Sequence, residues 1–306
     1  MLPIPLGLAA TRNEEFPNSC GCDSLRAEEM SRVKLSEMKS VLAEHDLKLT
    51  KSLGQNFLHD QNQLRRIVSA AEIGPADKIL EIGPGLGPLT ELLVAHAGEV
   101  LAIEKDKRLF DYLSQKFSTI PHLKLLHADA LEYVKNNRRW RGWKLVANLP
   151  YSVASPILVE LVQAQEPCAR MVATLQLEVA RRIVAAAGAE DYGLLGLLVR
   201  LRWQTLECFK ISGSCFFPEP GVDSACIVLE PRPVPILREE LHAAFTKIVK
   251  RAFSQRRKMM FKLLKADWPK ATLARAFEQA GLPPQTRAEN VSLEQFAKLT
   301  ETLASL

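Results

Sequence analysis

Polar side chains recur in this sequence at the ends of short apolar segments, close to a loop that is rich in glycine. The loop is Gly83–Gly87, Glu104 and Asp129 follow later apolar segments, and Asn148 begins the segment Asn-Leu-Pro-Tyr. Glycine allows a tight turn and a close approach of the backbone to a ligand. Carboxylate and amide oxygens accept hydrogen bonds from hydroxyl and amino groups. These residues therefore predict a site for a ligand that carries such groups.

The spacing of the glycines separates two kinds of nucleotide site. Dinucleotide-binding loops follow the pattern Gly-x-Gly-x-x-Gly, with the pyrophosphate at the start of the next helix. Counted from Gly83 and Gly85, the third glycine of that pattern falls at Pro88. Because proline has no N–H group to offer a phosphate, a nicotinamide-dependent oxidoreductase is the disfavoured alternative.

The two carboxylates favour an adenosine ligand without phosphate. Glu104 comes about one strand–helix unit after the loop and could accept hydrogen bonds from both ribose hydroxyls. Asp129, in His-Ala-Asp-Ala, could accept one from the amino group of adenine. S-adenosylmethionine fits this description. The alternative for either residue alone is a solvated carboxylate at the start of a loop.

The segment Asn148–Tyr151 suits methylation of an exocyclic amine. The lone pair of such a nitrogen is delocalised into the purine ring, so acceptors on its two N–H groups are needed to aim the lone pair at a methyl group. The Asn148 side-chain oxygen and the Leu149 carbonyl could serve, and Pro150 biases Leu149 toward an extended conformation. Tyr151 offers a ring on which an extruded base can stack. Positioning, rather than a strong base, would supply the rate; the alternative is a turn with a packed tyrosine.

A parallel sheet would bring these residues together. Strand-length apolar segments alternate with helical patterns over residues 47–235, which indicates βαβ units. Because the connections are right-handed crossovers, the carboxyl ends of the strands collect at one edge. We therefore predict an α/β, Rossmann-like, S-adenosylmethionine-dependent methyltransferase domain. The predicted strands are 78–82, 99–103, 123–127, 143–147, 170–177 and 225–229, and the predicted helices are 61–71, 89–97, 107–117 and 156–165.

Residues 236–306 follow a proline-rich linker and have helical patterns only, which predicts a smaller all-α C-terminal domain. From residue 238 onward this part has 13 Lys and Arg against seven Asp and Glu. Its residues 250–265 contain no acidic side chain. Such clusters bind nucleic-acid phosphates; the alternative is a solvated helix face. The candidate RNA-binding residues are Arg251, Arg256, Arg257 and Lys258.

Composition excludes other classes of protein. The chain has 306 residues, of which 47% are hydrophobic, and a net charge of +5; an intrinsically disordered chain has lower hydrophobicity and higher net charge. Six cysteines without ligand spacing suit neither a disulfide scaffold nor a zinc site. Residues 1–46, with a net charge of −3, are predicted to be a flexible N-terminal extension. No segment has the roughly 18 apolar residues that span a bilayer, so a cytoplasmic protein without a membrane partner is expected.

Several motifs together resemble the small-subunit (16S) ribosomal RNA adenine N6-dimethyltransferases of the kasugamycin-resistance type. The resemblance runs from about Lys48 to Leu299, and the motifs are in the family's order and spacing. Two positions differ from the family's usual pattern, because Leu177 replaces a basic residue and Gly196 replaces a serine. The motifs are the entry segment 51–60, the Asn-Leu-Pro-Tyr segment, and residues 176–182, 216–224, 253–258 and 287–293.

The resemblance implies roles for individual residues. Residues matching Asn56 and Leu58 bind the methionine and ribose parts of the cofactor, with Gln55 nearby. Phe216 begins the motif Phe-x-Pro-x-Pro-x-Val-Asp-Ser and would face Tyr151 across the target adenine; the alternative is a core aromatic. The implied cofactor-binding residues are Asn56, Leu58, Gly83, Glu104, Asp129 and Asn148. The implied catalytic residues are Asn148, Leu149, Tyr151 and Phe216.

The resemblance also implies a substrate. It is a pair of adjacent adenosines in the 3′-terminal hairpin of 16S rRNA, dimethylated at N6 by a monomeric enzyme that acts on a 30S precursor during subunit biogenesis. Because the sulfonium is itself the electrophile, no metal is expected. The nearest alternative is a large-subunit rRNA methyltransferase, and another is an RNA-binding assembly factor without catalytic activity.

Overall fold

The computed structural model describes residues 35–47 and 55–305. Within that part of the chain, strands and helices alternate up to residue 184, and helices alone follow the last strand. The strands are β1 (Phe57–Leu58), β2 (Lys78–Ile82), β3 (Glu99–Glu104), β4 (Leu123–His127), β5 (Trp143–Asn148), β6 (Arg170–Gln176), β7 (Trp203–Ile211), β8 (Phe216–Phe217) and β9 (Ser224–Pro231).

The helices flank the sheet and then form the C-terminal domain. Among the described residues, no helix combines the length and the apolar character that crossing a membrane requires. The helices are α1 (Leu35–Glu44), α2 (Gln61–Ala70), α3 (Pro88–His96), α4 (Lys107–Lys116), α5 (Ala130–Asn136), α6 (Ala154–Val162), α7 (Leu177–Val184), α8 (Leu194–Arg202), α9 (His242–Ala252), α10 (Met260–Leu264), α11 (Lys270–Gln279) and α12 (Leu293–Ala304).

The main sheet has the order β4-β3-β2-β5-β6-β9-β7. Strands β2 to β6 are parallel, and β9 and β7 are added antiparallel. The chain builds outward from β2 to β4 and then crosses to β5, so strand order reverses between β2 and β5. Ligands of open α/β sheets bind at the carboxyl ends of the strands beside such a reversal. The predicted Rossmann-like sheet is therefore confirmed.

Local sequence explains the main elements. Leu64, Ile67 and Val68 have helical spacing, and all three are buried on one face of α2. Asp60 accepts a hydrogen bond from the Gln63 N–H at 2.9 Å, which satisfies an amide that the first turn leaves without a partner. The same residue type precedes α4 and α5, where Asp106 and Asp129 cap the helices.

One strand of the main sheet does not follow the hydrophobic pattern expected of a strand. β7 lies at the edge of the sheet, and residues 206–208 in its middle are exposed. Its pairing with β9 shifts register between Thr205 and Glu207, so alternation of apolar and polar residues is interrupted. Sequence periodicity therefore did not predict β7.

The helix predicted at 156–165 is present as α6, which begins two residues earlier, at Ala154, and ends three residues earlier, at Val162.

The C-terminal core includes residues that precede the predicted domain boundary at residue 236. Tyr192, Leu197 and Leu201 belong to the same buried cluster as Phe245 and Phe296. The Tyr192 hydroxyl donates a hydrogen bond to the Val291 carbonyl at 2.6 Å. Leu197 and Leu201 of α8, together with Tyr192 just before it, thus pack in the core of the helical domain. They do so although α8 comes earlier in the chain than the linker.

The end of the predicted N-terminal extension is packed rather than free. α1 buries Met38 completely, and Met38 lies in a small cluster with Phe57, Leu86 and Leu109. Residues 35–44 of the predicted extension therefore form a helix that packs against the rest of the molecule through Met38. Residues 1–34 of the predicted extension lie outside the described residues.

Candidate active site

A cavity of about 290 Å³ opens at the carboxyl ends of the parallel strands. Most of the predicted site residues line it, which agrees with the position where strand order reverses. The lining residues come from four strand ends and the entry segment: Gln55, Asn56, Phe57, Ile82, Gly83, Gly85, Ile103, Glu104, Lys105, Leu109, Asp129, Ala130, Leu131, Asn148, Leu149, Pro150, Tyr151, Ser152 and Val153.

The glycine loop is closely covered by neighbouring side chains. A Cβ atom at Gly83 would lie 3.0 Å from Cγ of Pro150, and one at Gly85 would lie 2.6 Å from the Phe57 ring. Both glycines also have φ values in the left-handed region, +68° and +64°, which other L-residues rarely adopt. Glycine is therefore required here by conformation and by space.

Glu104 is fixed by backbone donors. Its carboxylate accepts hydrogen bonds from the Gly85 N–H at 3.2 Å and from the Asp106 N–H at 2.8 Å. Burial raises the pKa of Glu104, and these backbone hydrogen bonds oppose that shift. The carboxylate is thus oriented between the glycine loop and the start of α4, facing the cavity.

The two carboxylate oxygens of Asp129 accept hydrogen bonds from different partners. One oxygen accepts from the Leu131 N–H at 2.9 Å and caps α5. The other accepts from Lys105 Nζ at 2.7 Å, and this hydrogen bond is the main cause that lowers the pKa of Asp129. The residue therefore stays ionised and can act only as an acceptor. Lys105 was not singled out from the sequence; its position beside Glu104 is the available signal.

Asn148 presents an acceptor without a partner. Its Nδ2 group donates to the Asn56 carbonyl at 2.9 Å, and because a carbonyl only accepts, this contact fixes which end of the amide is which. Oδ1 is buried and has no hydrogen-bond partner among the described residues. A buried acceptor without a donor is costly. A ligand that brings a donor to this oxygen would therefore remove that cost.

Leu149 and Tyr151 are each held by a hydrogen bond to a neighbouring strand. The Leu149 N–H donates to the Thr174 carbonyl at 3.0 Å, which ties the segment to β6. The Tyr151 hydroxyl shares a hydrogen bond with the Ser224 hydroxyl on β9. Burial raises the pKa of Tyr151, so its hydroxyl remains protonated at neutral pH.

Leu58 and Phe216 do not bring their side chains to the cavity. β1 pairs antiparallel with β8, with Leu58 opposite Phe216 and Phe57 opposite Phe217. Leu58 and Phe216 are each only 2% exposed and belong to a core cluster under the sheet edge. Successive residues of a strand point to opposite faces, so Phe57 faces the cavity and Leu58 faces the core. Phe216 is not among the residues that line the cavity, and its place across the target adenine from Tyr151 stays a prediction.

Glu81 is a buried acidic residue beside the glycine loop that the sequence analysis did not single out. Its side chain is 1% exposed, and it accepts a hydrogen bond from the Thr90 hydroxyl at 2.7 Å. This contact links the end of β2 to α3 on the two sides of the glycine loop. Burial raises the pKa of Glu81 to about 8. In the sequence, Glu81 could have been noticed as a single acidic residue among the apolar residues of β2.

The predicted RNA-binding residues fall into two groups. Arg251 lies 3.0 Å from an oxygen of Asp267, and Arg256 donates to the Glu190 carbonyl at 2.7 Å. These two arginines therefore have internal partners. Arg257 and Lys258 are exposed and form no ion pair with any described residue.

The sequence model of the family described as "Ribosomal RNA adenine dimethylase" matches residues 46–305. The chain is 38% identical over 276 residues to "Ribosomal RNA small subunit methyltransferase A" of Latilactobacillus sakei, an alignment that covers 87% of this chain and 93% of the relative. Its identity to the protein of the same name from Moorella thermoacetica is 37% over 276 residues, covering 86% and 96% of the two chains.

Two solved structures share the fold over most of their length. The 23S rRNA methyltransferase ErmE is 28% identical with a TM-score of 0.62, and the match covers 81% of this chain and 99% of that protein. A dimethyladenosine transferase from Plasmodium falciparum has a TM-score of 0.69 at 24% identity, covering 79% and 95% of the two chains. The family match spans the cavity and the helical domain alike. This chain is thus an S-adenosylmethionine-dependent methyltransferase that belongs to the ribosomal RNA adenine dimethylase family.

Proposed function

We propose that this protein places two methyl groups on N6 of each of two adjacent adenosines in the 3′-terminal hairpin of small-subunit (16S) rRNA, and that it acts during subunit biogenesis. The observation that carries the proposal is the unpartnered Oδ1 of Asn148. It lies in a cavity that also contains the carboxylates of Glu104 and Asp129. Such a cavity suits one adenosine cofactor together with one amine substrate.

The residues present fit S-adenosylmethionine. Glu104 would accept from the ribose hydroxyls and Asp129 from the adenine amino group, since each carboxylate oxygen has more than one lone pair. Gly83 would allow the cofactor to approach the loop backbone closely. The segment that contains Asn56 and Leu58 borders one side of the cavity, and the Leu58 side chain anchors this segment in the core. Bound there, the cofactor supplies an electrophilic methyl group on its sulfonium.

The chain's own contribution is to orient the amine. Asn148 Oδ1 and the Leu149 carbonyl would each accept one N–H of the target amine, leaving the nitrogen lone pair directed toward the methyl group. Asn148 cannot rotate freely, because Nδ2 is held by the Asn56 carbonyl. Pre-oriented acceptors of this kind avoid reorganisation during the reaction.

The stacking role is proposed for the Tyr151 ring. Tyr151 lines the cavity beside Asn148, and a base that has left its helix needs an aromatic or apolar face to replace lost stacking. Phe216 supports the same region from the core through the pairing of β8 with β1. A second transfer would require the monomethylated amine to rotate and re-enter beside Asn148.

The RNA contact is proposed for the exposed basic surface of the C-terminal domain. Arg257 and Lys258 are free to meet phosphates, whereas Arg251 and Arg256 first hold the domain together. Phosphate contacts position RNA and carry little sequence information. Specificity would come from RNA shape and from bases that leave the stack.

The small subunit is the favoured substrate over the large subunit. The relatives at 37% and 38% identity carry the small-subunit name and align over nearly their whole length, whereas the 23S rRNA methyltransferase is 28% identical. A precursor of the 30S subunit as the partner, a monomeric state and a cytoplasmic location follow as parts of this proposal. A further role in assembly is compatible with it.

The test is transfer of labelled methyl groups to ribosomal subunits. The protein is incubated with labelled S-adenosylmethionine and undermethylated small or large subunits, and the label is mapped after digestion. We expect dimethyladenosine at two adjacent positions of the small-subunit RNA. Label confined to large-subunit RNA would contradict the proposal and favour a large-subunit rRNA methyltransferase. A protein that binds S-adenosylmethionine but labels neither RNA would contradict it as well, and would favour an RNA-binding factor without catalytic activity.

A further inference from the structure

We propose that Ser224 is a positioning residue for the base-stacking ring of Tyr151. This inference rests on the proposed function, because it concerns how the same site holds its target base. Ser224 is the last residue of the Phe-x-Pro-x-Pro-x-Val-Asp-Ser motif and lies at the start of β9. The motif therefore acts on the base through its last residue, by way of Tyr151.

The contact itself is a hydrogen bond between two hydroxyls. The Tyr151 hydroxyl and Ser224 Oγ are its partners, and they are 73 residues apart in the chain. Tyr151 is thereby held at two places, at its backbone within the Asn-Leu-Pro-Tyr segment and at the far end of its ring. Two attachments fix the direction of the axis that runs from Cβ to the hydroxyl, so the ring is held beside the cavity before a base arrives.

Ser224 is suited to serve as an anchor. Its side chain is 0% exposed, and β9 is paired on both sides, with Ser224 opposite Gln176 of β6 and Ile211 of β7. The neighbouring Asp223 accepts a hydrogen bond through its carbonyl from the Leu177 N–H at 2.9 Å. An interior strand with partners on both edges moves less than a loop.

The arrangement also limits how Tyr151 can contact a base. Because the hydroxyl is used inside the protein, the residue offers the face of its ring rather than its oxygen. A ring face accepts any base by stacking, while a free hydroxyl would prefer particular hydrogen-bonding groups. At the other end of the motif, Phe216 lies in the core and offers no face to the cavity.

A double-mutant cycle tests the inference. The variants are Ser224→Ala, Tyr151→Phe and the double variant, measured for kcat and KM with undermethylated small subunits and for cofactor affinity by calorimetry. Loss of one buried hydrogen bond corresponds to roughly a fivefold effect. We expect each single variant to lower kcat/KM for the RNA about fivefold, the double variant to be no worse than either, and cofactor affinity to stay unchanged.

Thr300→Val is the matched control. It removes a buried hydroxyl that bonds to the Phe296 carbonyl in the C-terminal domain at 2.8 Å, so it should lower thermal stability without changing kcat. Multiplying effects in the double variant, or wild-type kinetics of Ser224→Ala, would overturn the inference. If Ser224→Ala does not fold, wild-type kcat/KM in Tyr151→Phe is the overturning result. Inactivity of the wild-type protein on RNA would instead mark failure of the proposed function.

Discussion

At the scale of single residues, the site combines acceptors that are satisfied with one that is not. Glu104 and Asp129 already accept backbone and lysine hydrogen bonds, which orient their oxygens. Asn148 Oδ1 has no such partner among the described residues. An oriented acceptor that still lacks a donor is what recognition of an amine requires. This difference separates the residue proposed for catalysis from those proposed for binding.

Asn148→Ala should lower kcat for methyl transfer by about a hundredfold or more, a magnitude typical of removing one pre-oriented polar group at a reacting centre. Cofactor affinity should change little, because the ribose and adenine contacts are assigned to Glu104 and Asp129. Single-turnover transfer and calorimetric titration measure the two quantities. Unchanged transfer by this variant would show that Asn148 does not orient the amine.

Glu81 predicts a dependence of stability on pH. Its pKa in the folded protein is about 8, raised by burial from a usual value of 4.5. The folded state therefore holds this proton more tightly, so its contribution is fully present below about pH 4.5 and is lost as the pH rises through 8. One pKa unit corresponds to about 1.4 kcal/mol, so the effect is a few kcal/mol.

Glu81→Gln removes the titrating group and keeps a polar side chain of similar size for Thr90. We expect the free energy of unfolding of this variant, relative to the wild type, to increase between pH 5 and pH 8. Urea unfolding across that range measures the difference. A constant difference across the range would mean that Glu81 is already ionised in the folded protein.

At the scale of elements, the cavity is built by short segments that are distant in sequence. The two residues of β1 pair with those of β8, and this pairing sets the Phe57 ring over Gly85. α1 packs behind the same ring through Met38. The cofactor loop is therefore shaped as much by the entry segment as by its own glycines.

Gly85→Ala should weaken cofactor binding at least tenfold. The added methyl group would lie 2.6 Å from the Phe57 ring, so the ring or the loop must move. Gly281→Ala is the matched control, since Gly281 has the same φ of 64° and a methyl group there would meet nothing within 4 Å. Calorimetry and thermal melts separate binding from stability. Equal losses of stability with unchanged cofactor affinity in both variants would contradict this account.

At the scale of the whole molecule, two bodies of different charge are joined by specific contacts. The Gly188 N–H donates to the Glu289 carbonyl at 2.7 Å, and Arg256 reaches the Glu190 carbonyl at 2.7 Å. The loop before α8 is thereby fastened to the C-terminal domain. Arg256, at this junction, is used in a contact within the protein. Arg257 and Lys258, which follow it, are exposed and are the side chains proposed to contact RNA.

The pair of exposed cations should therefore differ from Arg256 in its effect. Arg257→Ala with Lys258→Ala should weaken binding to small subunits and reduce the slope of log affinity against log salt by about one for each phosphate that the variant no longer neutralises. Thermal stability should stay the same. Arg256→Ala should instead lower the free energy of unfolding by about 1 kcal/mol. Equal salt slopes for the pair variant and the wild type would contradict the assignment.

Sequence patterns alone sufficed for the parallel sheet, the glycine loop and the positions of Glu104, Asp129 and Asn148. The reason is that strand alternation and the common direction of parallel strands place all strand ends at one edge. The basic C-terminal module was likewise visible in the distribution of charge.

Only the tertiary structure decided which side of a short strand faces the cavity and which polar groups have partners. β1 and β8 are two residues long, too short for periodicity to show which residue points inward. The sequence therefore did not single out Phe57 beside the cavity or show that Phe216 is buried. The partners of Arg256, Glu81 and Tyr151 lie 66, 9 and 73 residues away in the chain. Such pairings depend on how the elements pack, and no local pattern contains them.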